Sequence, residues 1–126
     1  MADSIKNKVV FITGGSNGIG RSIVTLFCEK GADVIFCDVD DVAGQSLCES
    51  LSQYKCSYVN VDISDFKALE WATNNVIVEK GNIDVIINNA GVSVFDSILN
   101  TTVYDFDKVL DINLRPIFIT AKALAK

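Results

Sequence analysis

A glycine-rich segment near the start of the chain has the composition of a phosphate-binding turn. It runs from Thr13 to Gly20 (TGGSNGIG) and joins an apolar run to a segment whose apolar residues recur at helical spacing. Glycine allows a tight turn and a close approach of the backbone to a ligand, and the free amide groups at a helix start attract an anion. We therefore expect Gly14 to form the turn, Gly18 to admit a pyrophosphate and Gly20 to pack closely. A flexible connection without a ligand is the alternative.

The glycine spacing and an acid further along the chain point to a dinucleotide. The order G-x-x-x-G-x-G differs from a P-loop, since Arg21 follows the last glycine where a P-loop has lysine. Asp38 ends the next apolar run, where dinucleotide folds place an acid that accepts hydrogen bonds from the adenosine ribose. This acid would repel a 2′-phosphate, and Asn17 stands where an arginine could bind one, so both residues favour NAD over NADP. Alternatively, Asp38 is a surface acid beside Asp40 and Asp41.

Alternating strands and helices must position these residues. Apolar runs rich in Val, Ile and Phe predict strands at residues 8–13, 33–38, 57–61 and 83–88. Helical spacing predicts helices from the glycine turn to residue 30, at 42–52, at 65–80 and from 103 to 126. This alternation predicts an α/β fold in which helices cover both faces of a doubly wound parallel sheet, with strand order 3-2-1-4.

Residues at the helix ends predict where the helices begin and stop. Asp41 and Ser64 are the predicted N-caps of the second and third helices. Gly81 is expected to end the third helix in a left-handed conformation. Thr102 and Asp105 have the spacing of a capping box, so they are predicted to open the fourth helix.

Composition and charge exclude several classes of function. The 126 residues are 49% hydrophobic and 21% charged, as in one compact domain. The net charge of −5 comes with no cluster of Lys and Arg, which argues against nucleic acid or an anionic membrane as a partner. The apolar runs are too short to span a bilayer, and the first residues lack a signal-peptide core, so we expect a cytoplasmic protein. The absence of histidine excludes Ser-His-Asp and Cys-His catalysis.

The cysteines show no metal-binding or disulfide pattern. Cys28, Cys37, Cys48 and Cys56 include no C-x-x-C pair, and the usual histidine ligands of zinc are missing. We therefore expect no metal, and we interpret the cysteines as buried thiols.

The chemistry-bearing residues together resemble the ordered motifs of the short-chain dehydrogenase/reductase family. The matching residues are Thr13-Gly14-x-x-x-Gly18-x-Gly20, Asp38, Asp62-Ile63, Asn88-Asn89-Ala90-Gly91 and Asn113. The resemblance covers essentially the whole chain. It implies an NAD-dependent oxidoreductase that moves a hydride between nicotinamide and a small alcohol or carbonyl substrate. It also implies a Rossmann-type sheet that stops after the fourth strand and its following helix, in a family whose intact members are about twice as long.

The resemblance implies a role for each matching residue. Asp62 would receive the adenine amino group and Ile63 would flank the ring, while Asn89, Ala90 and Gly91 would line the ribose. The candidate cofactor-binding residues are therefore Gly14, Ser16, Asn17, Gly18, Ile19, Gly20, Asp38, Asp62, Ile63, Asn89, Ala90 and Gly91.

Asn113 is the only candidate catalytic residue. The matching asparagine in the family lies mid-helix, binds a water and supports a proton relay from the active-site lysine. Pro116 should kink the same predicted helix, because its ring leaves the Ile112 carbonyl without a partner. The family's catalytic serine and Tyr-x-x-x-Lys pair follow its fifth strand, beyond these residues. Tyr104 and Lys108 share that spacing but precede Asn113, so we interpret them as an exposed tyrosine and a solvated lysine.

The sequence therefore predicts the cofactor-binding part of an oxidoreductase, inactive by itself and prone to form homo-oligomers through an open sheet edge. One alternative is a noncatalytic NAD-binding module that acts through a partner or a complementary fragment. Another is a doubly wound domain that binds a nucleoside or a methyl donor.

Overall fold

A four-stranded parallel sheet forms the centre of the computed structural model, which describes residues 4–126. The strands are β1 (Val9–Thr13), β2 (Asp33–Asp38), β3 (Cys56–Asn60) and β4 (Val85–Asn88). They lie in the order β3-β2-β1-β4, and each neighbouring pair is parallel. The predicted strand order is confirmed. Because the chain passes from β1 toward β3 on one side and then returns to β4 on the other, the topology switches direction beside β1.

Within residues 4–126, five helices connect and cover these strands. They are α1 (Gly18–Glu29), α2 (Asp41–Ser50), α3 (Phe66–Lys80), α4 (Val103–Asn113) and α5 (Arg115–Leu124). In the part of the chain that the structure describes, no helix is both long enough and apolar enough to cross a membrane.

The two faces of the sheet are covered by different helices. Val10 and Ile12 of β1 join the core on the side of α1 and α2, together with Val24 and Leu47. Alternate residues of the same strand, such as Phe11, point to the other face. There they meet the buried residues of α3 and α5, among them Leu69, Ala72, Val76 and Ala123. All five residues of β1 are buried, which agrees with the doubly wound sheet that was predicted.

Several predicted boundaries are wrong by one or two residues. Asp40 caps α2 in place of Asp41, and Asp65 caps α3 in place of Ser64. In each case the capping carboxylate accepts a hydrogen bond from the backbone amide three residues later, at Ala43 and Ala68. Neighbouring residues can all serve as caps, so the backbone conformation at the turn decides which one does. β3 begins and ends one residue early, and β4 begins two residues late.

The fourth predicted helix is two helices. The helix is interrupted at Leu114, which caps the end of α4 and the start of α5. Pro116 occupies the first turn of α5. Proline has no amide hydrogen, so it is tolerated in a first turn but interrupts a helix interior. Where the sequence predicted a kink in one helix, the structure therefore has two separate helices. The capping box of Thr102 and Asp105 is confirmed, and Gly81 ends α3 with φ of +91°.

Candidate functional site

A cleft of about 360 Å³ lies at the carboxyl ends of the strands. Its volume falls in the range of small-molecule sites, and its position is where doubly wound sheets bind ligands. Eight of the predicted cofactor-binding residues line it, namely Gly14, Asn17, Asp38, Asp62, Ile63, Asn89, Ala90 and Gly91. The structure therefore brings together residues that are far apart in sequence.

The glycine-rich turn is anchored to the second strand. The amides of Gly14 and Gly15 both donate hydrogen bonds to the Cys37 carbonyl, over 2.8 and 3.2 Å. Gly14 has φ of +67°, and a methyl group there would lie only 2.8 Å from Cα of Ala90. This residue must therefore be glycine both for its backbone conformation and for the close approach of the segment after β4.

The other two glycines of the motif differ in what surrounds them. A side chain on Gly20 would overlap the Gly14 carbonyl oxygen, so only glycine lets α1 begin this close to β1. Gly18 has φ of +57°, and apart from its chain neighbours and the backbone of its own helix no atom lies within 4 Å of the position its Cβ would take. Gly20 thus serves packing, whereas Gly18 leaves open space at the helix start, where a phosphate would be expected.

Asp38 holds the turn and also faces the cleft. One carboxylate oxygen accepts a hydrogen bond from the Ser16 amide at 3.0 Å. The other accepts from the amides of Val39 and Asp40, at 2.8 and 3.2 Å. These bonds fix the orientation of the carboxylate at the end of β2. Asp38 is therefore built into the site and is not a free surface acid.

Ser16 and Asn17 occupy different surroundings within the turn. Ser16 is fully buried, and its hydroxyl is the only buried side-chain polar atom of residues 4–126 without a hydrogen-bond partner. Asn17 is exposed and donates through Nδ2 to the Asp40 carboxylate at 3.0 Å. The pKa of Asp40 lies below its usual value, mainly because its carboxylate accepts from the Ala43 amide and also because it accepts from Asn17. Ile19 is exposed and does not line the cleft.

The segment after β4 is held against β1 by a buried hydroxyl. Thr13 Oγ1 accepts hydrogen bonds from the amides of Asn89 and Ala90, each at 3.1 Å. Asn89 also donates through Nδ2 to the Gly14 carbonyl at 2.9 Å. These bonds join the two strand ends, so that Ala90 and Gly91 form one wall of the cleft.

Asp62 and Ile63 form the opposite wall, just after β3. Asp62 accepts hydrogen bonds from the amide and hydroxyl of Ser64, at 2.9 and 2.7 Å, which hold its exposed carboxylate at the cleft. Ile63 is only 7% exposed and belongs to the core beneath α3, so it both supports the sheet and lines the cleft.

Asn113 is the last residue of α4 and does not lie mid-helix. Its side chain makes two hydrogen bonds to the backbone of Val92: Oδ1 accepts from the amide and Nδ2 donates to the carbonyl, both at 2.8 Å. Asn113 therefore fastens the segment after β4 to α4. This geometry uses both polar ends of the side chain to position the cleft wall.

Five lining residues were not predicted: Cys37, Val39, Val61, Val92 and Ile112. Each of them directly adjoins a predicted site residue in sequence, so the position next to a predicted residue was the available signal. The pKa of Cys37 is raised to about 12, first by burial and then by the charge of Asp38. Its thiol therefore stays protonated at neutral pH and contributes an apolar surface.

Tyr104 and Lys108 lie outside this cleft. They line a separate depression of about 360 Å³ that shares Asp62 and Ile112 with it. Tyr104 is 74% exposed, as the sequence predicted.

The geometry of the turn fits a dinucleotide. The open space at Gly18, the unpartnered Ser16 hydroxyl and the oriented Asp38 carboxylate lie around the start of α1. Backbone amides at a helix start are suited to a pyrophosphate, and a carboxylate at the end of the second strand is suited to ribose hydroxyls. In the part of the chain that the structure describes, no group of three or more His, Cys, Asp or Glu side chains could hold a metal ion.

Similarity to known proteins agrees with this geometry. Residues 8–126 match the family model described as short chain dehydrogenase, so the chain belongs to the short-chain dehydrogenase/reductase family of oxidoreductases, which bind nicotinamide cofactors. It is 39% identical over 112 residues to "Short-chain dehydrogenase reductase 3b" of Arabidopsis thaliana, covering 88% of this chain and 44% of the relative. It is 35% identical over 116 residues to "Meso-2,3-butanediol dehydrogenase" of Serratia marcescens, covering 92% and 46%.

A solved structure shows the same fold with a bound cofactor. The blue fluorescent protein from a metagenomic library, in complex with NADPH, has a TM-score of 0.89 and 30% sequence identity to this chain. The alignment covers 96% of this chain and 51% of that protein. The chain thus spans about half the length of the relatives it matches.

The contrast between Gly18 and Gly20 can be tested by stability. Gly20→Ala should lower the free energy of unfolding by about 3 kcal/mol, because the added methyl group meets a backbone carbonyl that cannot move aside. Gly18→Asn should cost less than about 1 kcal/mol, since asparagine tolerates the left-handed conformation and the space is open. Urea unfolding of both variants and the unmodified chain measures the difference. Equal losses of unfolding free energy in the two variants would show that Gly20 is not packed tightly against the Gly14 carbonyl.

Proposed function

We propose that this chain binds NAD and represents the cofactor-binding half of an enzyme that oxidises an alcohol or reduces a carbonyl compound. The observation that carries the proposal is the cleft in which the glycine turn, Asp38 and the segment after β4 meet. When bound, the nicotinamide supplies the carbon that accepts or donates the hydride. The residues of this chain hold the cofactor and exclude water from it.

The proposed contacts divide the cofactor among three parts of the cleft. The amides at the start of α1, near Gly18, bind the pyrophosphate, with Ser16, Asn17 and Ile19 in the same turn. Asp38 accepts hydrogen bonds from the adenosine ribose. Asp62 and Ile63 bind the adenine, and the segment from Asn89 to Gly91 lines the ribose. In this family-based assignment Asn113 supports a proton relay, and its two bonds to Val92 position the wall of the cleft.

NAD is favoured over NADP by the charge at the ribose edge. Asp38 ends β2 and Asp40 caps α2 two residues later, and Asn17 donates a hydrogen bond to Asp40. A 2′-phosphate there would meet two carboxylates and no facing cation on the turn. The solved structure in complex with NADPH has the same fold, so the fold does not distinguish NAD from NADP. The proposed preference for NAD depends on Asp38, Asp40 and Asn17.

A noncatalytic module is the second candidate, and one surface feature favours it. Within residues 4–126, β4 has a partner strand on one side only. The segment that follows it carries Phe95, Ile98 and Leu99, which are 96%, 87% and 92% exposed. Unpaired strand edges and exposed apolar side chains favour association with another chain. We therefore also propose that the protein forms homo-oligomers.

A cytoplasmic location stays a prediction from the sequence.

Cofactor titration tests the role of Asp38. Asp38→Ala should raise the Kd for NAD roughly tenfold or more, because charge-assisted hydrogen bonds to the ribose are lost. Asp38→Arg should reverse the preference toward NADP, because an arginine replaces repulsion of the 2′-phosphate by attraction. The matched control is Asp41→Ala, which changes an exposed acid of α2 that lies outside the cleft. Unchanged NAD binding in both Asp38 variants would contradict the assignment.

Turnover by residues 1–126 alone should be absent. Positioning the cofactor without an acid/base leaves the substrate oxygen unassisted, and losing a general acid/base typically costs a factor of about 10² to 10⁴. NADH absorbance with a panel of alcohols and ketones is the measurement. NAD binding without turnover fits both candidate functions, whereas turnover that Tyr104→Phe removes would show that the tyrosine of α4 is catalytic after all.

Self-association should appear at micromolar concentration. The open edge of β4 and the exposed residues after it form an apolar surface that a monomer would leave in water. Sedimentation velocity across a concentration series, with and without NAD, measures the association. Phe95→Ser should weaken it, since that side chain is almost fully exposed and supports nothing in the fold. A single monomeric species at all concentrations would contradict this proposal.

A further inference from the structure

Three of the four cysteines converge on one side of the sheet, away from the cofactor cleft. Cys28 lies on α1, Cys48 on α2 and Cys56 at the start of β3. All three belong to the core layer between the sheet and the helices α1 and α2. Cys37 belongs to the core on the opposite face of the sheet. All four thiols are free.

Cys56 is the central member of this group. Cys48 donates a hydrogen bond from Sγ to the Cys56 carbonyl oxygen at 3.4 Å. Cys48 and Cys56 both pack against the buried cluster to which Cys28 belongs. The pKa of Cys56 is raised, first by its hydrogen bond to Cys28 and next by burial, while that hydrogen bond lowers the pKa of Cys28. Cys56 therefore keeps its proton and acts as a donor toward its neighbours.

Only two of these thiols can be reached from solvent. A surface cleft of about 380 Å³ lies between the second half of α2 and β3, and both Cys48 and Cys56 line it. The sequence predicted buried thiols, but these two are only half-buried. Cys28 is fully buried behind them. A small reagent that enters this cleft meets Cys48 and Cys56 as a pair.

The cleft also has room for a small polar reagent and groups to receive it. Besides the two cysteines, it is lined by the polar residues Gln45, Glu49 and Ser52 and by the tyrosines Tyr54 and Tyr58. The two cysteines are separated by eight positions, and residues 51–55 between them form a turn that joins α2 to β3.

We propose that Cys48 and Cys56 form an oxidation site that takes small hydroperoxides and closes to a disulfide. The sulfur of Cys48 attacks the terminal oxygen of the hydroperoxide, so that an S–O bond forms while the O–O bond breaks, and Cys48 becomes a sulfenic acid. The other oxygen takes the proton that the Cys48 thiol gives up and leaves as an alcohol or water. The sulfur of Cys56 then attacks that sulfur and forms the S–S bond. The hydroxyl leaves with the Cys56 proton as water. The thiol pair loses two electrons and two protons, and the hydroperoxide is reduced.

The order of the two steps follows from the surroundings of each thiol. A thiol attacks as its thiolate, so a group whose pKa is raised is a poor first nucleophile. Cys56 is therefore assigned the second step, in which it attacks the sulfenic acid already formed on Cys48. Cys28 has the lowered pKa, but its burial keeps reagents away. The disulfide would tie α2 to β3 at the edge of the sheet.

Peptide mapping after oxidation tests the proposal. The reduced full chain is treated with hydrogen peroxide, its remaining thiols are alkylated, and it is digested with trypsin without reduction. Trypsin cuts after Arg21, Lys30, Lys55 and Lys67, which places Cys28 on peptide 22–30, Cys48 on 31–55 and Cys56 on 56–67. The expected product is a cross-link between peptides 31–55 and 56–67, with two of the four thiols lost and both restored by dithiothreitol.

Variants identify the cysteine on the longer peptide, which also contains Cys37. Cys37→Ala should still give the cross-link, and Cys28→Ala should too, whereas Cys48→Ser should abolish it. If Cys56→Ser fails to fold, Cys48→Ser alone decides, because Cys48 is half-buried at the surface cleft. The proposal is overturned by retention of all four thiols, by a cross-link from peptide 22–30, by disulfide-linked dimers, or by a cross-link that survives in Cys48→Ser.

Discussion

The start of α1 lies so close to the end of β1 that no side chain fits between Gly20 and the Gly14 carbonyl. This contact places the free amides of the helix directly over the carboxyl edge of the sheet, where a negatively charged group gains from both hydrogen bonds and the helix dipole. It also leaves the Gly14 carbonyl available to Asn89, which brings in the segment after β4. The start of α1 and the segment after β4 are therefore both positioned by the Gly14 carbonyl.

Around that contact, single residues serve both the fold and the site. Asp38 uses its carboxylate to hold the amides of Ser16, Val39 and Asp40, so its orientation is set before any ligand binds. Thr13 holds two successive amides after β4 in the same way. Such preorganisation lowers the conformational cost of binding, because the groups that contact a ligand are already ordered. It also means that substituting these residues alters the shape of the site as well as its charge.

The opposite edge of the sheet has a different chemistry. There, α2 packs so tightly on β3 that a side chain on Gly44 would overlap the ring of Tyr58. Tyr58 in turn donates a hydrogen bond to the Asp38 carbonyl at 3.2 Å. The thiols of Cys48 and Cys56 lie within this same layer, beside the strand that leads to Asp62. The helix that follows Asp38 and the strand that leads to Asp62 are thus joined beside Cys48 and Cys56.

Much of this arrangement could be predicted from the sequence, since it depends on local patterns. Apolar runs placed four strands, the alternation with helices gave their order, and glycine, Asp38 and the Asn89 segment marked the strand ends. The exact caps could not be predicted, because Asp40 and Asp41 are equally good caps by type and only the local backbone conformation chooses between them. The break at Leu114 was underestimated as a kink, because a proline can occupy either a kinked interior or the first turn of a new helix.

The sequence by itself determined which residue types stand at the strand ends, and hence the fold class and the family, because hydrophobic period and glycine spacing are properties of short segments. The tertiary structure decided what each residue touches. It turned Asn113 toward Val92, left the Ser16 hydroxyl without a partner, and brought three cysteines from separate elements into one layer. These contacts join positions far apart in the chain, so they depend on how the sheet and helices pack together, and no local pattern records that packing.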